Sequence, residues 1–342
     1  MRGEQVIRVV SWPLPGQVSP AFFFLQNRRE LLLTSRPLAQ YRLSIAGIII
    51  HFIADSNLKL LFTESHRQFI VSEGEPDLRL KIHYGPLPPL KLEEKLFDSG
   101  VIWALYRSDG IYEMTFKADV FGLTPYQVAL IDSRFESGDL YVRVPNSKKV
   151  AKSTKPGHDA LPCIIPIAYP LDEVFMVNLL ARGRGVEIHS CGVNYKGQGM
   201  IFTGTSGTGK STLGRLWKDE RDALVLSDER IIVRRIDGRF WMYGTPWYSS
   251  AGTSSPEGVP LERIFFIKHS PQNYALPLKA GDAASRLFVR CFPTFWDESC
   301  LNYTLGFVGQ IAEQVPCYEL GFVPDKSVLE FVNKICSGEP LH

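Results

Sequence analysis

Gly204-Thr205-Ser206-Gly207-Thr208-Gly209-Lys210-Ser211 follows the apolar run Met200-Ile201-Phe202 and precedes Thr212-Leu213-Gly214-Arg215-Leu216-Trp217. The spacing is G-x-x-x-x-G-K-S, the pattern of a phosphate-binding P-loop set between a strand and a helix. Glycines allow positive φ, so the backbone N–H groups turn inward, and a helix starting near Lys210 aims its positive dipole end at the same point. That makes an anion cradle of Gly204 to Thr212. Lys210 is placed to reach the β- and γ-phosphates of a nucleotide, and the Ser211 hydroxyl to ligate the magnesium that bridges them.

Outward from this loop, the second half of the chain alternates strands and helices. Leu171 to Arg182 has helical apolar spacing and stops at Gly183. Val186 to Ser190 and Gly192 to Tyr195 read as two short strands before the loop strand. Ala223-Leu224-Val225-Leu226 follows the loop helix as a buried-type strand ending in Ser227-Asp228-Glu229. Ile231 to Ile236 and Arg239 to Tyr243 bracket Asp237-Gly238, a hairpin turn. Further on come a strand over Leu261 to Ile267, helices near 282–291 and 300–314, and a strand over Cys317 to Phe322. A last helix spans Asp325 to Ile335, with Asp325 as N-cap.

The first half reads as mainly β. Tyr41 to Ala54 is β-branched and apolar, Leu78 to Tyr84 alternates with period two, and Leu140 to Val144 is another candidate strand. Val101 to Arg107 and Ile111 to Lys117 flank the hairpin signature Ser108-Asp109-Gly110. Residues 1–39 show no sustained period and read as an arm. Pro145 to His158 is polar, basic and Pro/Gly-bearing, so a linker falls there. The expected organisation is an arm over 1–39, a β-rich accessory domain over 40–150 and the phosphate-loop domain over 151–342.

Composition narrows the partners. The formal net charge is +2, without the clustered basic excess of a nucleic-acid binder, so nucleotide is the expected phosphate partner. No apolar run approaches bilayer length, and the first thirty residues lack the uninterrupted apolar core of a secretory signal. The chain reads as cytoplasmic, with no membrane partner. Six scattered cysteines, Cys163, Cys191, Cys291, Cys300, Cys317 and Cys336, form neither C-x-x-C pairs nor zinc spacings. They read as reduced core residues.

A P-loop enzyme needs an acidic element at the end of a neighbouring strand, and Asp228-Glu229 after Leu224-Val225-Leu226-Ser227 supplies it. One acid can hold metal while the other faces the incoming nucleophile. His189, near the end of the strand before the loop strand, is a candidate for the same site.

Three strings in this order, Arg182-Gly183-Arg184-Gly185-Val186-Glu187-Ile188-His189-Ser190, then Gly204 to Thr212, then Leu226-Ser227-Asp228-Glu229, resemble the HPr kinase/phosphorylase superfamily, in particular its HPr-kinase-related members. Gly244-Thr245-Pro246-Trp247 resembles a G-x-P-W loop of the same group. The resemblance covers roughly residues 170–335. It implies an α/β (α+β) fold: a phosphoenolpyruvate carboxykinase-like P-loop kinase domain preceded by a smaller, mainly β domain. It implies ATP and Mg2+ as cofactors and a serine-type hydroxyl on a small molecule, peptide or protein as acceptor. By position, Lys210 and Ser211 would bind phosphate and magnesium, Asp228 would accept the hydroxyl proton, and Glu229 would ligate metal. His189 would stand beside the transferred phosphoryl group. This chain departs from the family pattern in Glu229, where a second aspartate is usual, and in Ser190, where glycine follows the histidine. Two other readings stay open. One is a carboxykinase-like enzyme using Arg215, Arg230, Arg234 or Arg263 to grip a dicarboxylate. The other is a nucleotide-binding regulator or peptide-delivery protein with decayed catalysis. A homo-oligomer is also left open.

Overall fold

A computed structural model describes residues 38–55, 58–100, 102–117, 124–143, 163–167, 170–248 and 252–338. The chain divides into two compact units, with the limit between Asn178 and Leu179 rather than at the expected 150/151. The expected linker and most of the expected arm lie outside the described residues. The described residues that follow the linker fold with the first unit: Gln127 Nε2 donates to the Pro166 carbonyl at 3.1 Å, and His66 Nε2 lies 2.8 Å from Asp172 Oδ2. Asp172 is 0 % exposed, so this pairing anchors the start of helix Leu171–Ala181 to the β-rich unit.

Among the described residues the first unit is built on a nine-stranded sheet, with Lys59–Leu60 and Cys163–Ile164 pairing separately. Its order is Ile70–Val71, Gln40–Ile45, Ile48–Ala54, Leu78–Gly85, Ser137–Arg143, Gln127–Asp132, Ile111–Phe116, Trp103–Ser108 and Glu94–Asp98. Neighbours are antiparallel except around Leu78–Gly85, which runs parallel to both of its neighbours. The β-branched, apolar run over Tyr41 to Ala54 is a hairpin, because Ala46 and Gly47 take φ of 52° and 74° and reverse the chain. Asp109 and Gly110 turn the hairpin expected at that point, with φ of 50° and 75°.

In the second unit the strand before the loop strand is one element, Val186–Tyr195, with an irregularity at Gly192/Val193. A bulge bends a strand without ending it, so the two expected short strands are continuous. The first part of this strand pairs with Arg230–Ile236, and the later part pairs with Gln198–Thr203 and Ala223–Ser227. The long strand Gly258–His269 is shared in the same way. It is antiparallel to Arg239–Tyr243 at its start and parallel to Gln198–Thr203 and Cys317–Phe322 along its end. The pairings close a circuit through Val186–Tyr195, Arg230–Ile236, Arg239–Tyr243, Gly258–His269 and Gln198–Thr203. Tyr274–Pro277 adds an edge strand beyond Cys317–Phe322.

Two apolar clusters flank these strands. Val186, Ile188, Ile231 and Ile264 belong to one, which helices Ala280–Phe288 and Glu298–Gln314 cover with Leu287, Phe307 and Ile311. Cys191, Val193, Phe202 and Phe265 belong to the other, against helices Lys210–Lys218 and Ser327–Ser337. Leu213 and Trp217, one helical turn apart, are both 0 % exposed and fix the first of these helices to the sheet. The last helix starts two residues later than expected. Asp325 still serves its start, its Oδ1 accepting from Ser327 N at 2.9 Å. The fold is α+β, and among the described residues no helix is long and apolar enough to cross a membrane.

Candidate functional site

The segment 204–209 leaves the buried strand Gln198–Thr203 and enters helix Lys210–Lys218, the setting its sequence calls for. Thr205, Ser206 and Gly207 form its exposed crest, while Lys210 is 8 % exposed. Gly207 and Gly209 take φ of 82° and 97°, a region that favours glycine over residues with a Cβ. A Cβ on Gly209 would also sit 2.8 Å from Phe322 Cζ. Lys210 Nζ donates to the carbonyls of Gly204 at 3.0 Å and Thr205 at 3.3 Å. Ser211 and Thr212 occupy the first helical turn and are partly buried.

Asp228 and Glu229 form the turn between strands Ala223–Ser227 and Arg230–Ile236. Ser227 Oγ shapes it by accepting from the N–H groups of Glu229 and Arg230, both at 3.2 Å. The Gly244-Thr245-Pro246-Trp247 loop is bonded to the same turn: Ser227 Oγ donates to the Trp247 carbonyl at 3.1 Å, and Thr245 Oγ1 to the Arg230 carbonyl at 2.8 Å. Asp228 is 0 % exposed, near helix Lys210–Lys218. A Cβ on Gly214 of that helix would lie 3.7 Å from the Asp228 Cβ.

His189 meets this turn from the neighbouring strand. Its Nε2 is 3.4 Å from Glu229 Oε1, and Ser190 N donates to the Glu229 carbonyl at 3.1 Å. Arg230 Nη1 donates to the same Glu229 oxygen at 2.7 Å, and Arg230 Nε faces Glu187 Oε1 at 3.4 Å. The Arg230 guanidinium also lies over the Phe292 ring, 4.6 Å from its centroid. Arg290 borders the other side, its carbonyl accepting from His189 N at 2.8 Å.

Burial, and then the positive charges of Arg230, Lys210 and Arg290, push the His189 imidazole down to about 2. The ring is therefore neutral, and its contact with Glu229 is not an ion pair. Burial also lowers Lys210 from the usual lysine range, Glu229 acts in the opposite direction, and Arg290 and Arg230 add to the lowering. Lys210 thus feels the charge of Glu229, and His189 feels that of Lys210. The structure gathers the 204–209 loop, the acid turn and the histidine strand into one cluster.

Of the four arginines considered for a dicarboxylate, only Arg230 is in this cluster. Arg234 Nε donates to the Arg184 carbonyl, Arg263 to Gln198 and the Cys336 carbonyl, and Arg215 is exposed. Sequence reading assigns no role to Glu187 or Arg290. Glu187 carries a signal, since it lies two residues before His189 in an apolar strand and so shares its face. Arg290 carries none, being brought to His189 by the bridge between Ile188 and Cys291. Among the described residues no cluster of three or more His, Cys, Asp or Glu side chains is arranged to hold a metal by itself.

The chain matches no family model and no curated relative. Among solved structures it is similar to the HPr(Ser) kinase/phosphatase from Coxiella burnetii, with 11% sequence identity and a TM-score of 0.26, over 44% of this chain and 88% of that one. A TM-score this low does not establish a common fold.

Proposed function

We propose that the protein is an ATP- and Mg2+-dependent kinase that transfers the γ-phosphoryl group to a serine-type hydroxyl of a small molecule, peptide or protein. In this reading the second unit, from Leu179 onward, forms a phosphoenolpyruvate carboxykinase-like P-loop domain. The observation that carries it is the gathering of Lys210, His189 and the Asp228-Glu229 turn around the start of helix Lys210–Lys218. Phosphoryl transfer asks a protein for positioning and charge stabilisation more than for covalent chemistry, and these groups supply both.

The donor set suits magnesium. Ser211 and Glu229 offer hard oxygen ligands, and magnesium is held by one or two carboxylates with phosphate oxygens and water rather than by an all-protein cage. Bound there, it would offset charge on the phosphate oxygens. The protein's own residues do the rest. Lys210 and the N–H groups of the loop hold the phosphates, and the neutral His189 stands beside them without adding charge. The acceptor oxygen bonds to the γ-phosphorus as the bond to the ADP oxygen breaks, and the hydroxyl proton passes to the Asp228 carboxylate. The arginine geometry favours this reading over a carboxykinase-like one, because three of the four candidate arginines are engaged or exposed elsewhere.

The test offers free serine, serine-terminated peptides and HPr with γ-labelled ATP, with and without EDTA. Transfer to one of them that stops with EDTA is the expected result. A folded protein that neither binds ATP nor moves its phosphate overturns the proposal.

A further inference from the structure

We infer that His269 is a positioning residue for the nucleotide's β- and γ-phosphates, acting through the backbone of the phosphate loop, a role that rests on the phosphate-binding reading above. His269 ends the long strand Gly258–His269, which runs parallel to the strand leading into the loop. The paired register ends at Thr203 opposite Phe266, and the longer strand continues past the point where its partner becomes the loop. A Cβ on Gly204 would lie only 3.0 Å from the Ile267 carbonyl, so this extension lies directly alongside the loop. At its tip His269 Nε2 is 3.2 Å from the Gly207 carbonyl oxygen. A carbonyl only accepts, so the bond requires the ring proton on Nε2.

The ring is held in place. His269 is the register partner of Phe322 on the adjacent strand, and their rings stack with centroids 5.6 Å apart at 28°. Phe322 is 0 % exposed, so the histidine rests on a fixed base. The same two rings lie under Gly209, whose Cβ position is 2.8 Å from Phe322 Cζ and 3.2 Å from His269 Cε1. Both left-handed glycines of the loop are therefore supported by one pair of strand-end rings.

A phosphate is attracted by amide N–H groups and repelled by carbonyl oxygens, so a cradle works only if its carbonyls are bound and turned away. Lys210 Nζ takes the carbonyls of Gly204 and Thr205. His269 takes that of Gly207, and on the other side of the same peptide Thr208 N donates to the Thr205 carbonyl at 3.3 Å. The Gly207–Thr208 peptide is bonded at both ends, which fixes the direction of the amides that follow. An exposed histidine at a strand end would otherwise pass as a surface residue.

The experiment measures Mg-ATP and AMP affinity by calorimetry for wild type, His269→Leu and His269→Gln, with melting curves for each. Leucine keeps bulk against Phe322 and donates nothing, whereas glutamine retains an N–H donor. The expected result is that His269→Leu weakens Mg-ATP by about five- to ten-fold, the worth of one hydrogen bond, while His269→Gln stays within about two-fold and AMP affinity holds. Unchanged Mg-ATP affinity in folded His269→Leu overturns the inference and leaves the kinase reading standing. Equal losses in both variants, or an equal loss for AMP, also overturn it. A wild-type protein that binds no ATP removes the phosphate-binding reading and this role together.

Discussion

Nε2 of His189 lies 3.4 Å from the same Glu229 oxygen that accepts Arg230 Nη1 at 2.7 Å. One carboxylate oxygen therefore joins the histidine strand to an arginine that also faces the buried Glu187. Because burial, and then the positive charges of Arg230, Lys210 and Arg290, disfavour the imidazolium, the shared carboxylate does not draw a proton onto the ring. Glu229 is instead oriented by the arginine, with His189 a neutral neighbour.

That neutrality predicts a pH effect on stability. An unfolded histidine titrates near 6.5, and His189 in the fold is pushed down to about 2. Between those values the unfolded chain binds the extra proton, so the stabilisation is fully present above about pH 6.5 and is lost as pH falls. At pH 5 the loss attributable to His189 is at most about 2 kcal/mol. Urea midpoints measured at pH 7.5 and 5 should fall more in wild type than in His189→Asn. Parallel declines would show that the imidazole is not held neutral.

Lys210→Met should cut ATP affinity by roughly 100-fold, about what one charge-assisted hydrogen bond to a phosphate is worth. The fold should survive. The amine of Lys210 bonds the loop carbonyls of Gly204 and Thr205, while Leu213 and Trp217 fix its helix to the sheet. Calorimetry beside a circular dichroism melt reads both quantities. Undiminished affinity in a folded variant would remove the loop from any nucleotide role.

The loop, its flanking strand and helix, and the turns at Asp109-Gly110 and Asp237-Gly238 are legible in the sequence because each depends on residue types at fixed local spacing. The Ala46-Gly47 reversal is hidden there. Alanine rarely takes positive φ, and Ile45 and Ile48-Ile49-Ile50 on its two sides continue the apolar run. Strand Gln127–Asp132 lacks an alternating pattern because four of its six residues, Gln127, Val128, Ala129 and Ile131, are buried. In the site, the acid turn and His189 follow from order along the chain. Arg290 does not, since only packing of the segment after helix Ala280–Phe288 onto Ile188 brings it there. His269 escapes for a related reason, as the apolar pattern of its strand stops at Ile267, two residues short of the tip.

The Glu187–Arg230–Glu229 array should be costly to break and cheap to dismantle together. Glu187 is 2 % exposed and Arg230 5 %, and removing one member of a buried pair leaves a charge without its counterion. Arg230→Met should destabilise by about 3–5 kcal/mol, and adding Glu187→Gln should restore part of that. A double-mutant cycle in urea gives the coupling. Additive losses would mean that the two side chains do not support one another.

The two acids of the turn should separate chemistry from metal dependence. Asp228 is wholly buried near the loop helix, whereas the Glu229 side chain is 14 % exposed and already shared by Arg230 and His189. If Asp228 accepts the hydroxyl proton, Asp228→Asn preserves shape and removes the base. ATP affinity should then hold within about three-fold while transfer falls by roughly 100-fold or more. If Glu229 serves the metal, Glu229→Gln should chiefly raise the magnesium concentration needed for half-maximal transfer, with the maximal rate recovered at high magnesium. Steady-state rates across a magnesium titration, with an acceptor found by the labelling screen, distinguish the two. Transfer at the wild-type rate in Asp228→Asn would exclude that residue as the base, and a Glu229→Gln defect indifferent to magnesium would assign the proton to Glu229 instead.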